Sequence, residues 1–286
     1  MFPITCSGRK NRSKDENVKD FSCFAAIVKR CIIASVDKVK LKQGVTFALQ
    51  GLSHLLWPAV CINCKRSICE TDNALCKNCW DELLFCTSGD YCRRCGRDAG
   101  RFALVDGACP DCQGKQIHFD QIARSGVYGD ALQQMILSFK KGRTELDSVL
   151  GFLANSALQG SLFYNNIEFF VPVPLHWSRR LVRGYNQSLV LAKKLKRPTA
   201  KINTDLVRIR HTKSQVGMPT PAARTKNVAG AFAVRKGHNF AGRKICLVDD
   251  IKTTGATLNE CTKTLKEAGA SKVFALVLAV AGQNIS

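Results

Sequence analysis

The stretch Lys244-Ile245-Cys246-Leu247-Val248-Asp249-Asp250-Ile251-Lys252-Thr253-Thr254-Gly255-Ala256-Thr257-Leu258 runs from a short buried strand through a paired carboxylate and a hydroxyl-and-glycine loop into a helix. The apolar run Ile245 to Val248 anchors a strand in a sheet, and the acids leave its carboxyl end. The loop then presents backbone N–H groups at a helix N-terminus, where an anion is favoured. That order suits a phosphosugar, with its phosphate seated in the loop. Leu258, Cys261, Leu265 and Ala268 fall on one face of the helix, and Gly269 supplies its C′ stop. Val273 to Val280 is then the returning strand of a βαβ unit.

Working back toward the amino terminus, Leu206 to Phe232 reads as a short strand and a long polar loop containing Gly217, Pro219 and Pro221. A lid over an anionic substrate has this composition; a surface excursion is the alternative. Before it, the strand Phe169-Phe170-Val171-Pro172-Val173-Pro174 gives way to a loop carrying Arg179, Arg180 and Arg183, then to a helix from about Ser188. Guanidinium forks donate two parallel hydrogen bonds and keep their charge, so this loop is a candidate pyrophosphate clamp. Arginines on a solvated face are the other reading, and His176 beside Trp177 reads as packing. Further back, Gln121 to Val127 is a strand or linker, and Tyr128-Gly129-Asp130 opens a helix that runs through Phe139. Lys140-Lys141-Gly142-Arg143 closes it, and Glu145 to Leu158 forms a second amphipathic helix. Lys140 and Lys141 serve either a ligand or the helix dipole.

The 286 residues are 45% hydrophobic, enough for a large core in one or two domains. Lys and Arg number 43 against 22 acids, a net +21. The segment His176 to Lys244 alone holds seventeen Lys or Arg and one acid, Asp205, a local +16. Such a field favours a phosphorylated small molecule, pyrophosphate or nucleic acid, while a solvated basic face is the bland alternative. Eight of the fifteen cysteines form C-x-x-C pairs, Cys61/Cys64, Cys76/Cys79, Cys92/Cys95 and Cys109/Cys112, with eleven, twelve and thirteen residues between them. Each knuckle offers two thiolates to one tetrahedral ion, so two pairs complete a four-cysteine site and four pairs allow two such sites. Joining first with second and third with fourth is the simpler arrangement, although spacing does not fix it. Cys69 and Cys86 stand outside the pattern. The region is poor in large apolar residues, so metal is expected to supply much of its folding energy and to be structural. No secretory signal is apparent, and Val45 to Val60 is too polar and short to span a bilayer, so a cytoplasmic chain without a membrane span is expected. Met1 to Lys42 carries no legible chemistry and reads as a poorly ordered extension, followed by a short lead-in helix over Val45 to Trp57.

Together these stretches resemble the ComF/GntX family of phosphoribosyltransferase-like proteins. The resemblance rests on the four C-x-x-C pairs and on Val171-Pro172-Val173-Pro174 with Arg183-Gly184-Tyr185-Asn186-Gln187. Arg210 to Phe232, with Thr212, Gln215, Arg224 and Asn227, and the Asp249-Asp250 motif complete it. It covers Pro58 to the carboxyl terminus. It implies an α/β type I phosphoribosyltransferase-like parallel sheet flanked by helices over residues 119–286. A double zinc-ribbon module over 58–118 and an extension over 1–57 precede that sheet. In some members it implies a role in DNA uptake during competence or in using DNA as a nutrient. Phosphoribosyl pyrophosphate would place its 5-phosphate on Thr253, Thr254, Gly255, Ala256 and Thr257, and its ribose on the catalytic pair Asp249 and Asp250. Its pyrophosphate would meet Arg179, Arg180 and Arg183. Lys252 departs from the family, which often has an uncharged residue there; it adds a phosphate contact or points to solvent. Structural zinc and Mg²⁺ are the implied cofactors. Two readings stay open. One is a phosphoribosyltransferase with an unidentified acceptor. The other is an accessory protein of the competence machinery that binds single-stranded DNA, its phosphoribosyl site being a sensor or inactive.

Overall fold

The computed structural model describes residues 59–68, 74–100, 103–105, 108–112, 114–212 and 220–281. The expected extension and lead-in helix, Cys69, and Gln215 with the middle of the basic loop lie outside them. In chain order the elements are α1 (Lys77–Thr87), β1 (Ile122–Val127), α2 (Asp130–Lys140), α3 (Asp147–Gln159), β2 (Phe169–Pro172), α4 (Trp177–Arg183), α5 (Gln187–Lys194), β3 (Lys201–Ile202), β4 (Leu206–Arg208), α6 (Pro221–Val228), β5 (Phe232–Val234), β6 (Lys244–Lys252), α7 (Ala256–Glu267) and β7 (Lys272–Val280).

The apolar runs make a five-stranded sheet in the order β1-β7-β6-β2-β3, with every neighbouring pair parallel. Parallel strands are covered on both faces, which is why β6 and β7 read as continuous hydrophobic runs. Cys246 and Val248 join the core built with α2, α3 and α5, whereas Ile245 and Leu247 join the one built with α7 and the small β4–β5 pair. Leu83 and Cys79 of α1, with Cys61 and Leu75, are buried in the first of these cores. The cysteine-rich segment and the sheet therefore share hydrophobic contacts within the compact unit Pro58–Ser286. Among the described residues no helix is long and apolar enough to cross a membrane.

Three local readings change. β6 does not stop at Val248: its pairing with β7 runs from Lys244 opposite Lys272 to Lys252 opposite Val280, because β7 stays apolar to its end and keeps supplying a partner. Asp249, Asp250 and Lys252 are thus strand residues. The arginines sit on the helix α4 and not in a loop. His176 Nδ1 accepts from the Ser178 amide at its start (3.4 Å), and Gly184 at φ 79° stops it in the left-handed conformation that glycine adopts without strain. The polar stretch after β4 contains α6, whose Thr220 hydroxyl accepts from the Ala223 amide (3.1 Å) with Pro221 in the first turn, and β5 then returns antiparallel to β4.

Candidate functional site

The ends of β6, α2 and α5 meet around the acid pair, and the two carboxylates take different partners. Asp250 pairs with Lys140 at the end of α2 (Nζ to Oδ2 3.0 Å). Asp249 accepts from the Ser188 hydroxyl of α5 (3.1 Å) and from the Asp250 amide (2.9 Å). Burial, and after it the Asp250 charge, push the Asp249 carboxyl up to about 7, against the pull of the Asp250 amide, Lys140 and Ser188. Next to the pair, Gly255 holds φ 85° as the N-cap of α7 and offers no side-chain cap. Thr254 Oγ1 accepts from the Ala256 amide (3.4 Å). A left-handed glycine followed by a helix start turns backbone N–H groups toward one point, the geometry that holds a phosphate. Thr253, Thr254, Gly255, Ala256 and Thr257 form the turn that leads from the acids into α7. Lys252 instead lies on the strand with only 7% of its surface exposed.

Three guanidinium groups interact with one another, and the last of them, Arg208, also with Asp249. Arg179 and Arg183, four residues apart, share a face of α4. Arg179 donates to the Thr212 carbonyl (2.9 Å) and Arg183 to Gln187 Oε1 (3.3 Å). Arg208 of β4 donates to the Thr212 hydroxyl. Burial and the Arg183 charge lower the Arg179 pKa; burial, Arg179 and Arg210 lower that of Arg208, whereas Asp249 opposes the shift. Like charges held together in this way call for an anion. Arg180 points elsewhere, lining a cavity of about 360 Å³ with Trp177, Asn186, Arg208 and Arg235. Ser188 and Arg208 were not singled out from sequence. Ser188 was legible only as a helix start, and Arg208 carried no signal beyond lying in the basic segment.

The eight cysteines form two clusters, Cys61, Cys64, Cys76, Cys79 and Cys92, Cys95, Cys109, Cys112, with sulfurs within 4.8 Å of one another. The simpler pairing is the observed one. Sulfur separations include 3.6 Å for Cys64 to Cys76, 3.7 Å for Cys95 to Cys109 and 3.6 Å for Cys109 to Cys112. A zinc ion held tetrahedrally by four sulfurs, with bonds of about 2.3 Å, spaces those sulfurs by about 3.8 Å, so the clusters fit zinc. The amides of Cys95 (3.4 Å) and Cys109 (3.2 Å) donate to Cys92 Sγ. Burial raises the Cys92 thiol, but these amides and that of Arg94 outweigh it and bring it down to about 7. No described cysteine is in a disulfide.

This fold and site define a phosphoribosyltransferase-like α/β protein carrying a zinc-ribbon module ahead of its sheet. Residues 52–113 match the Double zinc ribbon domain and residues 184–285 the Phosphoribosyl transferase domain. Competence protein F of Haemophilus influenzae is 31% identical over 220 residues, 74% of this chain and 93% of that protein. Competence protein ComFC of Bacillus subtilis is 28% identical over 205 residues, 69% of this chain and 80% of its own length. DNA utilization protein YhgH of Salmonella typhi is 27% identical over 225 residues, 76% and 94%. The chain belongs to the ComF family of phosphoribosyltransferase-like proteins with an amino-terminal zinc ribbon.

Proposed function

We propose that this chain binds phosphoribosyl pyrophosphate with Mg²⁺ at the carboxyl end of its sheet and acts in the uptake or utilisation of DNA. The observation that carries the reading is the acid pair Asp249 and Asp250 near the end of β6, followed at once by the left-handed Gly255 that starts α7, with the positive charge of Arg208 acting on Asp249. The 5-phosphate sits on the amides and hydroxyls of Thr253 to Thr257. Asp249 and Asp250 hold the ribose hydroxyls and stabilise the positive charge that develops as the C1–O bond breaks. Arg179 and Arg183 take up the negative charge of the departing pyrophosphate. Oxygen donors on the substrate and the carboxylates form the hard ligand set that Mg²⁺ prefers, and the ion supplies charge neutralisation when bound. Calorimetry of phosphoribosyl pyrophosphate with Mg²⁺ tests this: the wild-type chain binds, and Asp249→Asn/Asp250→Asn weakens binding at least tenfold, about 1.4 kcal/mol. Unchanged affinity in the double variant would sink the assignment. Catalysis is read from pyrophosphate release across nucleobase and amine acceptors.

A second reading is favoured by the far side of α4. Trp177 is exposed beside Arg180 and the cavity that holds Arg235, a flat ring among cations that suits a stacked base of single-stranded DNA. In that reading the phosphoribosyl site is a sensor. The names of the relatives above, competence and DNA utilization proteins, support both.

A further inference from the structure

We propose that Lys252 is a positioning residue that ties the second cysteine cluster to the phosphate loop, so that metal held by Cys92, Cys95, Cys109 and Cys112 sets the conformation of residues 253–257. The inference rests on the loop being a phosphate site, as read above. Lys252 closes β6 opposite Val280 and is almost wholly buried, and among the described residues it makes no ion pair with a carboxylate. Burial lowers the Lys252 pKa most, Arg97 and Lys115 lower it further, and Cys95 and Cys112 of the second cluster oppose the shift. A buried cation requires an anionic partner. Four thiolates around Zn²⁺ carry a net charge of about −2, so the loaded cluster is that partner. The stem of the same side chain supports the loop from beneath: a Cβ at Gly255 would lie 3.1 Å from Lys252 Cε.

Two further contacts join the same parts. A Cβ at Gly96, in the knuckle of the second cluster, would lie 3.0 Å from Val280, the strand partner of Lys252. The chain leaving that cluster holds the first turn of α7: the His118 amide donates to Asn259 Oδ1 (3.0 Å), and Asn259 Nδ2 donates to the Gln116 carbonyl (2.9 Å). The first cluster braces a different wall. Arg143, just past the helix that carries Lys140, donates to the Ile62 and Asn63 carbonyls. Loss of Lys252 should therefore disturb one metal site and spare the other.

The full chain is compared with Lys252→Met and Lys252→Arg in three measurements: zinc release to a colorimetric chelator, amide hydrogen exchange over residues 250–258, and calorimetry with phosphoribosyl pyrophosphate and Mg²⁺. Removing a partner that supports metal ligands costs about 10- to 100-fold in metal affinity. Lys252→Met should release one zinc equivalent at least about tenfold faster, leave the other unchanged, raise exchange over 250–258 and weaken ligand binding. Lys252→Arg, which keeps the charge, should restore most of each. Wild-type release of both equivalents with unchanged exchange in Lys252→Met overturns the proposal. If Lys252→Met does not fold, wild-type protein stripped of zinc decides: raised exchange over 250–258 supports the link, and unchanged exchange refutes it. If the wild-type chain binds no phosphoribosyl pyrophosphate, the phosphate-site reading fails while zinc release and exchange still judge Lys252.

Discussion

Asp249 and Asp250 are adjacent in sequence yet chemically unlike. Asp250 pairs with Lys140, while Asp249 has no ion pair of its own among the described residues and is held by Ser188 and the Asp250 amide. Its pKa of about 7 lies above the ordinary 3.8, so the native chain holds a proton that the unfolded chain gives up. The sign follows: this group stabilises the fold at acid pH, and the contribution disappears as pH rises from about 4 through about 7. Asp249→Asn should therefore raise the thermal midpoint at about pH 8 relative to wild type, by roughly 1 kcal/mol of stability given partial exposure and the nearby lysine. Scanning calorimetry across pH checks it. The same titration predicts that Mg²⁺-phosphoribosyl pyrophosphate binds more tightly as pH rises through about 7, a dependence that Asp249→Asn flattens. The pair was legible because two acids ended an apolar run. Ser188 was not, because it comes from a helix start 61 residues away.

The seven-residue α4 splits its arginines by helical phase. Arg179 reaches the Thr212 carbonyl and Arg183 reaches Gln187, whereas Arg180 lines the cavity beside Trp177. Its outer side leaves Val182 89% exposed, so the helix is held by its ends, His176 and Gly184, more than by burial. A strand with three closely spaced arginines after it signalled a functional segment. It did not signal a helix, because Trp177 to Arg183 lacks a buried stripe. Where α1 meets the sheet the fit is tight: a methyl group on Gly126 of β1 would strike the Cys86 carbonyl and approach Leu132. Gly126→Ala should cost about 1–3 kcal/mol and lower the thermal midpoint by about 2–4 °C per kcal/mol, with both zinc equivalents retained. A melting curve paired with metal content tests it.

Across the whole molecule, the charge of +21 is concentrated between α4 and β6. Where single-stranded DNA binds there, affinity should fall steeply with salt, with a log–log slope of about −0.7 for each phosphate neutralised, and Arg180→Ala should make that slope shallower by about 0.7. Fluorescence anisotropy over a salt series reads both, and a salt-independent affinity would exclude the basic segment as the contact. Much of the architecture was open to inspection in the chain because its causes are local. A buried strand needs only a run of apolar residues, an amphipathic helix only its periodicity, and a zinc knuckle only two thiols three residues apart. The extent of β6 was not legible, since Asp249 to Lys252 look like a loop until β7 lies alongside them. Nor was the convergence of Lys140 and Ser188 on the acids. Parallel crossovers gather chain ends from remote positions at one edge of the sheet, as Asn259 meets Gln116 across 143 residues. No periodicity or spacing in the sequence encodes such meetings; they arise when the packed faces of the sheet set the strand order.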